Sequence, residues 1–197
     1  MELLQCRWRG SDLQLLCALL DTLLLRFAAP QGAGFCFTAD DHEALLHRSR
    51  SFADESTPAG NAVAAAVLSK AGCLLGEPRY LQAAQRTLAA GWDAMREHPQ
   101  AHAALINALQ THLAPPQILI VRGAAPLAAD WLRQLAPLFA PDRLMFAIPT
   151  DAAALPAALA AKTARGAVCA YLCTGTVCGE PVEDLTALIA SLRQSAA

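Results

Sequence analysis

The chain reads as α plus α/β: an array of α-helical hairpins over residues 1–114, then a small three-stranded parallel α/β unit over residues 115–197. Three observations carry this. The first part holds long apolar stretches at helical spacing, punctuated by Gly and Pro. Pro115-Pro116 then breaks the chain. Beyond it, short unbroken apolar runs at 118–121, 144–148 and 168–172 alternate with helix-length segments. That is the pattern of strands buried on both faces and joined by crossovers.

Residues 11–27 are predicted as the first helix. Ser11 followed by Gln14 resembles a capping box. Gln14, Asp21 and Arg26 make only a narrow polar stripe, so the helix is covered on most sides. Gly32 and Gly34 then break the chain before an extended piece at 35–38 and a long irregular connection at 39–56. The second helix starts with Thr57 as N-cap and Pro58 at the first helical position, and stops at Gly76. Pro78 opens a third helix to about residue 98, with Leu81, Ala84, Leu88, Trp92 and Met95 at helical spacing; Pro99 opens a fourth, to about 113. In the second part, helices are predicted at about 126–139, 152–163 and 182–193, and one side of the sheet is expected to lean on the helical part.

Composition excludes several classes. The net charge is -2 and the pI about 6.2, so no basic face is available for nucleic acid. The apolar run at 13–25 is interrupted or flanked by Asp12, Gln14, Asp21 and Arg26, which a signal peptide or membrane span rarely tolerates. It is read as a buried helix of a soluble protein, and the chain begins almost directly in it, as a piece of a larger protein would. The seven cysteines are dispersed and odd in number, so reduced thiols in a cytoplasmic protein are expected rather than a disulfide scaffold.

Charged residues are only 16% of the chain, yet one window holds Asp40, Asp41, His42, Glu43, His47, Arg48, Arg50, Asp54 and Glu55. A carboxylate beside an imidazole can tune a proton transfer, which makes Asp40, Asp41, His42 and Asp54 the candidate catalytic groups. The alternative is loop anchoring, since Asp and Asn side chains hold turns and cap helices. The entry at 54–61 could present backbone N–H groups to an anion or a sugar hydroxyl. Gly60 and Asn61 there suit close approach of a polar ligand, with Arg48 as a further ligand contact.

Cys173 and Cys178 bracket Thr-Gly-Thr-Val after the last predicted strand, and a helix start near Pro181 would favour a thiolate. They form a disulfide, part of a metal site, or two unrelated thiols. No paired-Cys or His-x3-His zinc pattern occurs, and neither a G-x-G-x-x-G nor a Walker lysine accompanies Arg122-Gly123. No metal or cofactor is therefore implied. His98, His102 and His112 read as surface or packing residues.

The ordered set F-T-A-D-D-H-E-A-L-L, S-F-A-D-E-S-T-P-A-G-N-A-V-A-A, G-E-P-R-Y-L-Q-A-A, P-Q-I-L-I-V-R-G and Y-L-C-T-G-T-V-C-G-E-P resembles one family across nearly the whole chain. It is the family that joins an N-terminal thioredoxin-like domain to an (α/α)6 toroid and includes the YyaL-like and spermatogenesis-associated thioredoxin-like proteins. The resemblance implies a C-terminal part: a partial α/α toroid and then the α/β unit, with the thioredoxin-like domain and the rest of the toroid as partners. The toroid looks like that of N-acylglucosamine epimerases, whose polar helix mouths line a sugar pocket. By the match, Asp40, Asp41, His42, Asp54, Pro58, Gly60 and Asn61 fall in the family's most recognisable segment, and Cys173 and Cys178 match its paired cysteines. The chain departs from the pattern at Glu55-Ser56, where the family more often shows Gly-Ala, and at Ala59, where it shows Ser.

Three functions are compatible with this reading. One is a toroid that binds or modifies a small sugar. The second is a non-catalytic scaffold for a thioredoxin-like domain, with Cys173 and Cys178 as a redox contact. The third is a structural piece without activity of its own. Sugar sites favour Trp and Tyr platforms, and none stands beside the polar window. A partial toroid exposes apolar helix faces, so self-association is expected.

Overall fold

A computed structural model describes the chain except residues 31–32, 44, 139 and 195–197. The described residues form a mixture of helices and one small sheet, in two compact units. One comprises residues 15–115. The other comprises 116–197 together with residues 1–14, which the sequence placed with the helices.

A short α1 (Glu2–Cys6), which the sequence did not reveal, precedes the first long helix, α2 (Gly10–Thr22), and the helical unit takes up within α2 at Leu15. The last five residues of the predicted helix, Leu23–Phe27, widen into a π-helical turn. The carbonyls freed there are taken by the chain that follows: Arg26 O accepts the Asp40 N–H and Phe27 O the Cys36 N–H, both at 2.8 Å. Among the described residues the extended piece at 35–38 forms a single bridge, Phe35 to Ala28.

Helix α3 (Gly60–Leu75) buries Ala62, Ala65, Leu68, Ala71, Gly72 and Leu75 along one helical face. It ends as predicted at Gly76, whose φ of 63° and N–H bonded to Gly72 O make a left-handed cap. α4 (Pro78–Ala90) opens on its proline. A methyl group on Gly72 would meet the Leu81 side chain at 2.6 Å, so glycine there sets how closely α3 and α4 approach. The predicted third helix is in fact two, α4 and α5 (Trp92–Glu97). The break falls at Gly91, where an added Cβ would lie 2.4 Å from Leu105 of α6 (Ala103–Leu113). Ala59, Ala62, Ala65, Leu88, Met95, Leu105 and Ala108 make the core, with Phe52 against it. The buried Tyr80 hydroxyl donates to Asp21 at 2.6 Å and ties α4 to α2. Burial, followed by the hydrogen bond to Asp21, pushes that phenol well above its usual range.

The sheet of the other unit has four strands in the order β2-β1-β3-β4. β1 (Gln117–Gly123) and β2 (Arg143–Pro149) are parallel, joined by α7 (Ala125–Leu135). β3 (Val168–Thr174) is antiparallel to β1, and β4 (Val177–Cys178) antiparallel to β3. The expected three-stranded parallel sheet is thus a mixed four-stranded one. Gly123 is the register partner of both Pro149 and Val168, so β3 starts at the end of the sheet where β2 stops. The link 150–167 need only pass from one flank of β1 to the other. It carries one helical turn, α8 (Ala157–Ala160), in place of the predicted helix at 152–163. Pro156 disfavours helix before it, and Ala154 sits at a φ of 54°. Without a full crossover helix the strand returns antiparallel.

Leu119 and Val121 of β1 pack with Ala128, Trp131 and Leu135 of α7 and with Leu188 and Leu192 of α9 (Leu185–Gln194). α1 covers the free edge of β2: the Met145 N–H donates to the Gln5 side-chain oxygen at 3.1 Å, and Trp8 stands edge-on to Phe146. The buried Arg122 donates to Ile148 O and Pro149 O, both at 3.1 Å. Among the described residues no helix is long and apolar enough to cross a membrane.

Candidate functional site

The polar window is held mainly by its arginines. Arg26 lies 3.4 Å from Asp40 and 3.7 Å from Asp41, and both carboxylates are about half exposed. Exposed pairs of this kind contribute up to about 1 kcal/mol each. Arg48 donates from Nη2 to Thr38 O at 2.6 Å and to Arg26 O at 3.2 Å, and from Nε to Thr38 O. Its contacts are to backbone, which makes it a staple across the loop. His42 is exposed on the same loop.

Asp54 has a different role from its neighbours. Its Oδ1 accepts the Ala59 N–H and its Oδ2 the Ala104 N–H, each at 2.8 Å. One carboxylate therefore caps the starts of both α3 and α6. The Ala104 and Ala59 amides hold its pKa below the usual carboxylate value. This corrects the predicted cap. The helix begins at Gly60, not at Thr57-Pro58, and the residue that serves it stands five positions before Ala59.

Asn61 is buried, at 4% exposure. Its Oδ1 accepts the Phe35 N–H at 2.7 Å, and its Nδ2 donates to Phe35 O and Ser51 O, both at 2.9 Å. Both amide hydrogens are engaged by the protein itself. Gly34, at a φ of 92°, makes room: a Cβ there would lie 2.9 Å from Asn61 Oδ1.

A cavity of about 460 Å³ opens at the start of α3, lined by Leu23, Phe35, Cys36, Phe37, Ser49, Ser51, Glu55, Gly60 and Asn61. Of the polar-window residues singled out from sequence, it gathers Glu55, Gly60 and Asn61. Arg48 lines a neighbouring hollow with Arg50, His47, Leu45 and Leu46. Asp40, Asp41, His42 and Asp54 do not line this cavity. Ser49 and Ser51 are the polar groups the sequence reading missed. Their signal is the alternation Arg48-Ser49-Arg50-Ser51, which puts the two serines on one side of an extended segment and the two arginines on the other. Among the described residues no three His, Cys, Asp or Glu are grouped as metal ligands.

In the sheet unit, β3 and β4 form a hairpin closed by Gly175 and Thr176, with Gly175 at a φ of 58°. Cys173 and Cys178 face each other across it and are joined as a disulfide. The other five cysteines are unbonded, and the bonded pair departs from the expectation of reduced thiols. Cys173 is 3% exposed, whereas Cys178 is exposed, as are Thr174, Thr176 and Val177. The hairpin is pinned independently of the sulfurs. The Gly179 N–H donates to Leu172 O, the Gly175 N–H to Pro116 O, and Ala170 and Val182 exchange two backbone bonds. The helix expected to begin near Pro181 starts at Leu185, further from Cys178.

No protein-family model and no curated protein sequence matches the chain.

Proposed function

We propose that this chain is a non-catalytic scaffold whose hairpin disulfide exchanges with a thioredoxin-like dithiol domain. The observation that carries the reading is the Cys173–Cys178 bond, which joins β3 to the exposed edge strand β4. Five unpaired thiols, one of them exposed, suit a reducing, cytoplasmic setting. In such compartments a disulfide is usually a transient, redox-active one. The resemblance to the YyaL-like family supplies the dithiol, in the form of its thioredoxin-like domain. In the same reading the helical unit is part of an α/α toroid, and Asp40, Asp41, Arg48, Asp54 and Asn61 organise it rather than perform chemistry.

The test is direct. The oxidised chain is incubated with a thioredoxin-type dithiol protein, and its free thiols are counted by alkylation and mass spectrometry. The count should rise from five to seven, with the new labels on Cys173 and Cys178. A count that stays at five rejects the reading.

The cavity at the start of α3 favours a second reading, the binding of a small sugar. It combines two hydroxyls, a carboxylate and the Phe35 and Phe37 side chains in a volume suited to a small ligand. Titration with monosaccharides and disaccharides tests it, because a ligand bound to the native state raises the melting temperature. No shift with any of them removes this reading.

A further inference from the structure

We infer that disulfide exchange at this hairpin has a fixed polarity: an incoming thiolate attacks Cys178, and Cys173 is the sulfur that leaves. The inference rests on the exchange reading above and adds which sulfur the partner touches and what surface it meets.

Exchange rate depends on which sulfur is attacked and on access to it. Cys173 is buried on β3, in register with the buried Ile118 of β1. Cys178 is on the two-residue edge strand β4, with Thr176, Val177 and Gly179 exposed around it. A nucleophile therefore reaches Cys178 from solvent and finds Cys173 behind it. In the first step the partner's thiolate bonds to Cys178 Sγ, the Cys173–Cys178 bond breaks, and its electron pair stays on Cys173, which takes a proton from water. In the second step the partner's other thiolate attacks its own sulfur in the mixed disulfide and releases Cys178 as a thiolate. Two electrons pass from the partner's dithiol to the chain, and the partner leaves as a disulfide.

The backbone pins keep the reduced pair together. Gly179 to Leu172, Gly175 to Pro116 and the Ala170–Val182 pair hold the hairpin whether or not the sulfurs are bonded. Cys173 thus stays beside Cys178, ready to re-form the bond. The residues next to Cys178 on the chain, Thr176, Val177 and Gly179, are uncharged, and the exposed Glu180–Arg165 pair follows two residues on. The partner's surface that meets Val177 is accordingly apolar or neutral.

The experiment uses the full oxidised chain and a thioredoxin-type protein whose second active-site cysteine is replaced by serine. After a short reaction the mixture is quenched with N-ethylmaleimide, digested and sequenced by mass spectrometry. The expected product carries the partner on Cys178 and maleimide on Cys173, at least tenfold over the reverse arrangement. Adduct on Cys173, or equal amounts on both, overturns the polarity while leaving exchange itself intact. No adduct on either sulfur, with dithiothreitol still reducing the bond, overturns the partner reading and the polarity with it. In parallel, the uncharged change Val177→Asn should slow the reaction with the partner at least fivefold and leave reduction by dithiothreitol unchanged. Equal slowing of both overturns the contact at Val177.

Discussion

The side-chain amide of Asn61 pairs with the backbone of Phe35 much as a neighbouring strand would. It accepts the Phe35 N–H and donates back to the Phe35 carbonyl, at 2.7 and 2.9 Å. Its second amide hydrogen goes to Ser51 O. One helical residue thereby holds two loop segments that would otherwise lack a partner at that place.

Asn61→Ala should lower stability by about 2–3 kcal/mol, since it leaves buried backbone groups without partners. Thermal unfolding followed by circular dichroism measures the loss. An unchanged melting temperature would show that the loop is held elsewhere.

Asp54 links stability to pH. Its folded pKa is depressed, so its contribution is present above the unfolded value near 3.8 and is lost as pH falls through the lower folded value. Urea midpoints should therefore drop more for the parent chain than for Asp54→Asn between pH 5 and pH 3. At neutral pH, Asp54→Ala should cost about 1–2 kcal/mol, the value of lost helix caps. Parallel pH curves for parent and Asp54→Asn would exclude the double cap.

Reduction of the disulfide should leave the fold intact. The cysteines are five residues apart, and closing so short a loop contributes only about 2 kcal/mol. The backbone bonds of the hairpin already restrain the same segment. We expect an unchanged far-ultraviolet spectrum and a melting temperature a few degrees lower, at about 2–4 °C per kcal/mol. Loss of cooperative unfolding on reduction would contradict this.

Leu15 and Leu19, one turn apart on α2, are 56% and 60% exposed, and Leu25 beyond them is 70% exposed. Exposed apolar stripes of this kind drive association. Light scattering should show a mass that grows with concentration, and Leu15→Glu with Leu19→Glu should reduce it. A constant monomer mass for the parent chain would refute this.

Much of the candidate site was legible as composition and little as geometry. The window 40–61 stands out because its charges are crowded in an apolar chain. Loop anchoring was already the alternative there, and Arg48, Asp54 and Asn61 are all engaged by backbone groups. The partners of Asp54 could not be read locally, because Ala104 lies 50 residues away. The cysteine pair was legible as a bracket around a Gly turn, but its bond depended on β4, too short at two residues to leave a periodic signal.

The sequence by itself determined the helix of the Gly60–Leu75 segment, its stop at Gly76, the restart at Pro78 and the buried strands around residues 118–121, 144–148 and 168–172. These follow from residue-level preferences: left-handed glycine, proline at a helix start, and apolar periodicity. Only the tertiary structure decided the direction of β3, the break at Gly91, the grouping of residues 1–14 with the sheet unit, and the partners of Asp54 and Asn61. Those depend on where distant segments lie in space, and a strand's apolar run is the same whichever way the strand points.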